Sequence, residues 1–209
     1  LATKAPGTRG LTDAVLSRAT ALNETARFEG RKGAASVQAR LAQAQRYAQL
    51  DQIADAQAIL RELVTTALDE PGVFEGATAL YLRWRQLGKM ARLLDAAEAL
   101  PTPPARLAEA QVAAVVAARL AGTQGATPHV LASRDVSPAL TALAEGATPA
   151  LRRFAAHAAV ILAATDRDDK ALERAAARAL QETLSANTLE VIASAWLSLG
   201  RMDRAITTL

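Results

Sequence analysis

The two histidines of the chain, His129 and His157, are the first candidates for acid–base or metal chemistry. A catalytic or ligating histidine needs partners at defined spacing. The sequence contains no serine elbow, no glycine-rich phosphate loop and no paired metal histidines. The chain also has no cysteine, which excludes disulfides, thiolate zinc sites and cysteine nucleophiles. We therefore expect structural or surface histidines, no catalytic residues, no cofactor and no metal site.

A second candidate is the acidic run from Thr165 to Lys170, which has the alternating acids of a calcium loop. Counted from Asp166, the sixth and twelfth positions hold Ala171 and Ala177, where such a loop needs glycine and glutamate. Acidic side chains are also favourable at a helix N-terminus, because they complement the helix dipole. The run therefore predicts a turn between two helices rather than a metal site.

A basic cluster near the start of the chain is the third candidate. Residues 1–40 carry seven basic and three acidic side chains, an excess of +4 in a chain whose net charge is +3. Phosphates or anionic lipid head groups are possible ligands, but Phe28 is the only aromatic nearby, so base stacking is not supported. A solvated terminal helix is favoured. The cluster consists of Arg27, Arg31, Lys32 and Arg40.

The composition predicts the elements that position these residues. Hydrophobic residues make up 51% of the chain and aromatics 3%. The abundance of Ala and Leu favours helices that approach closely, so we expect an all-α protein. No apolar run reaches the roughly 18 residues that span a bilayer. Because the chain begins with Leu1, we expect an upstream segment to have been removed, which is a cleaved signal, a tag or part of a larger protein. The compartment stays open between the bacterial periplasm, which a processed chain favours, and the cytoplasm.

A short sequence motif recurs along the chain, with an aromatic residue four positions before a turn residue. The aromatic residues of the motif are Tyr47, Trp84 and Trp196. The predicted turn residues are Asp51, Gly88, Gly122, Asp166 and Gly200, which are 37, 34, 44 and 34 residues apart. Glycine suits such turns because it adopts a left-handed backbone without a steric penalty. These spacings predict stacked helical hairpins with an insertion in the third interval.

Pairs of a hydroxyl residue and proline mark several helix starts, because proline suits the first helical position. The pairs are Thr102–Pro103, Thr127–Pro128, Ser137–Pro138 and Thr148–Pro149. Together with the apolar periodicity they predict helices over 34–50, 54–68, 74–87, 90–100, 103–121, 128–133, 138–145, 149–164, 169–184, 187–199 and 202–209.

These features resemble the tetratricopeptide repeat family, whose hairpins carry a large residue on the first helix and a small one early in the second. Tyr47, Trp84, Ala118, Leu162 and Trp196 stand at the first position, and Ala56, Leu93, Thr127, Ala171 and Ala205 at the second. The resemblance implies an α-solenoid of about five hairpins with both tryptophans in the core. The predicted segments are a flexible lead (1–10), an N-terminal helix or cap (11–33), repeats (34–121), an irregular repeat with an insertion (122–148) and further repeats (149–209) in an array that continues beyond 209.

The resemblance also implies a concave face lined by the first helix of each hairpin. Three of its arginines would form a stripe suited to an acidic segment or a polyanionic polymer such as a polysaccharide. The predicted partner-binding residues are Gln38, Gln45, Arg85, Glu109, Arg119, Arg153, Glu190 and Ser194.

The function that follows is a non-catalytic scaffold that binds a protein or peptide partner on this concave face. One alternative is a periplasmic repeat domain of a bacterial envelope or exopolysaccharide (cellulose-like) export system. Another is a basic helical repeat that binds nucleic acid or another polyanion, although the mild net charge does not favour nucleic acid.

Overall fold

The computed structural model describes residues 34–125 and 129–209. Within these ranges the chain forms ten α-helices, one short 3-10 helix and no strand, so the all-α prediction is confirmed. The predicted lead (1–10), the N-terminal helix (11–33), most of the basic cluster and the pair Thr127–Pro128 lie outside the described residues.

The helices follow the predicted order with ends within a few residues of the predicted ones. Numbered in chain order, they are α1 (Ala34–Gln49), α2 (Ile53–Thr66), α3 (Val73–Arg83), α4 (Leu87–Glu98), α5 (Leu107–Thr123), the 3-10 helix (Val130–Ser133), α6 (Ser137–Ala144), α7 (Pro149–Thr165), α8 (Asp169–Glu182), α9 (Ala186–Ser198) and α10 (Met202–Thr208).

The chain divides into two compact units, Leu1–Leu80 and Tyr81–Leu209, with the boundary inside α3. In the first unit α1 packs along α2. The N-terminal part of α3 approaches α1 closely at a glycine, because a Cβ built on Gly76 would lie 2.7 Å from Leu41 Cδ1. The buried residues on α1 and α2 include Leu41, Ala44, Tyr47, Ala56, Leu60 and Leu63.

Helix α7 is the centre of the second unit, because it contributes to two hydrophobic clusters. One cluster joins it to α8, α9 and α10 through residues such as Val160 and Ile192. The other joins it to α5 and α6 through residues such as Leu162 and Val115. Alanine-rich faces let these helices pack closely. As a result α5, α7 and α9, which alternate with other helices in sequence, are neighbours in space.

Four helix ends share one turn geometry, in which a backbone N–H reaches the carbonyl five residues earlier. The bonds are Gln52 N to Tyr47 O (2.9 Å), Gln86 N to Tyr81 O (2.9 Å), Asp168 N to Ala163 O (3.1 Å) and Arg201 N to Trp196 O (2.9 Å). This is the Schellman motif, which needs one left-handed residue. Those residues are Asp51, Arg85, Arg167 and Gly200, with φ between 52° and 74°.

The structure corrects three of the five predicted turn residues. Gly88 and Gly122 lie inside α4 and α5, and the left-handed residues nearest to them are Arg85 and Gly125. Asp166 is right-handed, with φ of −79°, and the next residue takes the left-handed position. Glycine is favoured there by only about 1 kcal/mol, so the hydrogen bonds and packing that close the turn outweigh the residue type.

The structure also corrects the second aromatic residue of the recurring pattern, which is Tyr81 and not Trp84. Tyr81, which is 4% exposed, holds the place of Tyr47 and Trp196, because all three carbonyls accept the Schellman bond. Trp196 is 4% exposed and Tyr47 is 6% exposed, as expected for core residues. Trp84 is not in the core, since it lies partly exposed in the turn after α3.

The predicted hydroxyl–proline starts are only partly confirmed. Pro149 is the first residue of α7, but the Thr148 side chain makes no capping hydrogen bond. Thr102 and Pro103 lie in a loop, and α5 begins at Leu107. The predicted helix 128–133 is a 3-10 helix, whose start is capped by His129.

Candidate functional site

A groove of about 620 Å³ opens along α5, α7 and α9 in the second unit. Its floor is apolar and comes from all three helices, through residues such as Leu120, Ile161 and Val191. The other lining residues are Thr123, Ala164, Thr165, Arg167, Asn187, Glu190, Ser194, Ala195 and Ser198.

Helix α9 forms one wall of the groove because its lining residues share one face. They recur at intervals of three and four residues from Asn187 to Ser198, the spacing of one helical stripe. This stripe is about 16 Å long at 1.5 Å per residue. The opposite side of α9 carries Ile192 and Trp196, which are buried in the core.

A partly buried polar network joins the start of α9 to the middle of α7. His157 Nε2 lies 3.0 Å from Thr188 Oγ1, and Ser185 caps α9 by accepting a hydrogen bond from Thr188 N at 3.2 Å. Thr188 is fully buried. Burial lowers the pKa of His157 below its ordinary value, and the positive charge of Arg153 lowers it further. Both effects favour the neutral imidazole, and His157 contributes to the packing of α7 on α9.

The groove carries one positive and one negative side chain, Arg167 and Glu190. Neither forms an ion pair with any residue that the structure describes. Arg167 follows the C-terminus of α7, and Glu190 lies in the first half of α9. His157 on α7 pairs with Thr188 near the start of α9, and Asp169, beyond the end of α7, pairs with Arg201, beyond the end of α9. The two helices therefore run in the same direction, and Arg167 is next to the Ser198 end of α9. The two charges therefore lie at different ends of the groove.

Of the eight predicted partner-binding residues, the groove contains Glu190 and Ser194. Arg119, on α5, is engaged in the fold, because its Nη1 donates to both carboxylate oxygens of Asp166 at 2.6 Å and its Nε donates to Ala132 O at 3.0 Å. Arg153 is exposed on α7 outside the groove lining.

The remaining predicted residues lie elsewhere. Glu109 pairs with Arg106 at 2.7 Å. Arg85 was predicted on the first helix of its hairpin. It lies instead in the turn that follows α3. Gln38 and Gln45 belong to the first unit, where both are exposed and Gln38 donates to Pro71 O. Their role in binding stays a prediction.

Sequence reasoning missed Ile161, Val191 and Arg167 as groove residues. Val191 directly follows Glu190, so the groove extends to a residue beside the predicted concave face. Arg167 was missed because the turn was centred on Asp166.

Other candidates from the sequence are structural. Asp168, in the acidic run, caps α8 by accepting a hydrogen bond from Ala171 N at 2.9 Å. Over residues 34–125 and 129–209, no group of three or more His, Asp or Glu side chains is arranged to hold a metal ion.

None of the described helices is both long enough and apolar enough to cross a bilayer. No protein-family model, curated protein or solved structure matches the chain.

Proposed function

We propose that this chain is a tetratricopeptide-like helical repeat protein that binds a segment of a partner protein, without catalysis, in the groove between α5, α7 and α9. The observation that carries the proposal is the groove itself. Its volume of about 620 Å³ is within the range of specific ligand sites. Its lining is mixed, because it combines five apolar residues, among them Leu120, Ile161 and Val191, with seven polar or charged residues.

The recurring turn supports the repeat interpretation. Arg85 follows Asp51 by 34 residues and Gly200 follows Arg167 by 33, and each is the left-handed residue of a Schellman turn. A 34-residue interval is the period of tetratricopeptide hairpins. On this interpretation the chain is an α-solenoid of about five hairpins, and α5, α7 and α9 are first helices that line one face.

The chemistry of the groove favours a peptide over a small apolar ligand. Leu120, Ile161 and Val191 offer a surface on which an aliphatic side chain can be buried. Asn187 and Ser194 offer side-chain groups to a peptide backbone, and neither makes a side-chain hydrogen bond to the described residues. Arg167 and Glu190, near opposite ends, suit a segment that carries an acidic residue and a basic residue on either side of the aliphatic anchor.

A displayed library of random peptides, selected against the whole chain, tests this proposal. We expect the selected peptides to contain an aliphatic residue flanked by charges of opposite sign. Ser194→Trp should abolish binding by filling the groove, because Ser194 is an exposed lining residue whose replacement leaves the core intact. Ala177→Trp is the matched control, since Ala177 is exposed on α8 outside the groove.

The charge assignment has its own test. With Arg167→Glu, the selected peptides should carry a basic residue where the wild-type selection has an acidic one. Peptides that bind Ser194→Trp as tightly as the wild type would contradict the groove as the binding site. An unchanged charge pattern with Arg167→Glu would contradict the role of Arg167.

A further inference from the structure

The turn between α3 and α4 carries an unusual concentration of positive charge. Arg83, Arg85, Lys89 and Arg92 stand within ten residues, and no acidic residue occurs between Glu75 and Asp95. Asp95 is itself neutralised by Arg134, whose Nη1 lies 3.1 Å from its carboxylate. We call Arg83, Trp84 and Arg85, together with Arg92 on α4, the basic turn.

The arginines of the basic turn are available to a ligand. Arg83, Arg85 and Arg92 are all exposed, and none forms an ion pair or hydrogen bond through its side chain with the described residues. The pattern elsewhere in the second unit is different, because most of its arginines are neutralised by an acidic partner. Those arginines are Arg106, Arg119, Arg134, Arg152, Arg201 and Arg204.

The backbone places these charges at and just after the Schellman turn that follows α3. Arg85 is left-handed, with φ of 52°, at the position that Gly200 occupies in the last Schellman turn. Arg83 ends α3, and Arg92 lies on α4. Lys89 adds its charge beside them, with Nζ 5.9 Å from the centre of the Tyr81 ring.

Trp84 indicates which kind of polyanion fits. Its indole is partly exposed, and the neighbouring Tyr81 is 4% exposed. The turn therefore has no fully open aromatic face on which a nucleic-acid base could stack. A partly exposed indole beside arginines is instead the composition of a membrane interface, where the ring sits at head-group level and guanidinium groups meet phosphates.

We propose that the basic turn docks this protein on an anionic membrane surface, with Arg83, Arg85 and Arg92 at the lipid phosphates and Trp84 at the interface. The contact is peripheral, and it is independent of the groove proposed for the partner peptide. Each basic side chain near an anionic leaflet strengthens binding by a factor of roughly five, so the three arginines together account for a factor of roughly 100.

Sedimentation of the whole chain with lipid vesicles tests the proposal. We expect binding to phosphatidylcholine vesicles that contain phosphatidylglycerol and little binding to pure phosphatidylcholine. Salt should weaken binding, because it screens exposed charges. The variant Arg83→Glu, Arg85→Glu, Arg92→Glu should lose binding by roughly 100-fold or more. The emission of Trp84 should shift to shorter wavelength on binding, whereas Trp196 is 4% exposed and should not respond.

The matched control is Arg61→Glu, Arg153→Glu, Arg178→Glu, three exposed arginines outside the basic turn with the same change in net charge. It should bind within a few-fold of the wild type. A milder variant, with glutamine at positions 83, 85 and 92, guards against misfolding, and circular dichroism checks the helix content of all variants.

Three results would overturn the proposal. Equal loss of binding in the two triple glutamate variants would mean that net charge alone attracts the protein to lipid. No preference for anionic over neutral vesicles would exclude the phosphate contacts. Tighter binding to a single-stranded oligonucleotide, with quenching of Trp84, would identify nucleic acid as the partner of the basic turn.

Discussion

Arg119 on α5 and Asp166 after α7 form a bifurcated contact, in which Arg119 Nη1 lies 2.6 Å from both carboxylate oxygens. The same guanidinium donates from Nε to Ala132 O at 3.0 Å, so one side chain ties α5 to the 3-10 helix and to the turn after α7. The Arg119 side chain is 22% exposed and that of Asp166 is 56% exposed. Arg119 therefore stabilises the fold beside the groove rather than serving as a free cation.

This geometry predicts that removing Arg119 and removing Asp166 have unequal effects on the free energy of unfolding. Arg119→Ala should lower the free energy of unfolding by about 1–2 kcal/mol, because it leaves the Ala132 carbonyl and Asp166 without their partner. Asp166→Ala should cost less than about 1 kcal/mol, because that carboxylate is mostly solvated. Urea unfolding followed by circular dichroism measures both. Arg106→Ala, which removes a surface pair, is the control, and equal losses from all three variants would contradict the assignment.

The close approach of α1 and α3 makes Gly76 sensitive to a single methyl group. Gly76→Ala should destabilise the chain by about 1–2 kcal/mol, because the new Cβ would meet buried Leu41 at 2.7 Å and overpacking outweighs the gain in helix propensity. Gly122→Ala, also in a helix but with nothing within 4 Å, should stabilise by up to about 1 kcal/mol. The Gly76→Ala penalty should shrink in a Leu41→Ala background, and additive effects would argue against a direct clash.

The left-handed residues of the Schellman turns predict opposite effects at two equivalent positions. Arg85→Gly should raise the free energy of unfolding by up to about 1 kcal/mol, because glycine adopts φ near 52° without strain. Gly200→Ala should lower it by about 1 kcal/mol for the converse reason. Thermal unfolding of both variants provides the measurement. If the basic turn docks on lipid, Arg85→Gly should also weaken vesicle binding while it increases stability, an outcome that a purely structural role would not produce.

His157 predicts a pH dependence of stability. Burial and the charge of Arg153 lower its pKa in the folded state below the value in the unfolded chain, so protonation favours unfolding. The contribution of His157 to stability is fully present above the unfolded value of about 6.5 and is lost as pH falls through the folded value. Urea midpoints between pH 7.5 and 4.5 should therefore fall more in the wild type than in His157→Gln.

A second variant separates the two causes of the lowered pKa of His157, which are burial and the charge of Arg153. Arg153→Gln should reduce the loss of stability at low pH without removing it, because burial of the imidazole remains. If His157→Gln and the wild type follow the same pH profile, the buried imidazole of His157 is not a source of the dependence.

The sequence by itself determined the helices and their order, because the signals that specify them are local. The richness in Ala and Leu, the apolar periodicity and Pro149 act over a few residues, and the ends of α1, α6 and α7 agree with prediction to within one residue. The burial of Tyr47 and Trp196 could also be predicted from the sequence, because large residues that recur at one position of a repeat belong to its core.

Only the tertiary structure decided which turn residue is left-handed, which arginines are free and where the groove opens. Arg85 and Arg167 take the left-handed position because hydrogen-bond closure and packing outweigh the small preference for glycine. Arg119 is engaged by Asp166, a residue 47 positions away. Such a pairing depends on how α5 packs on α7, and no local pattern in the sequence specifies that packing.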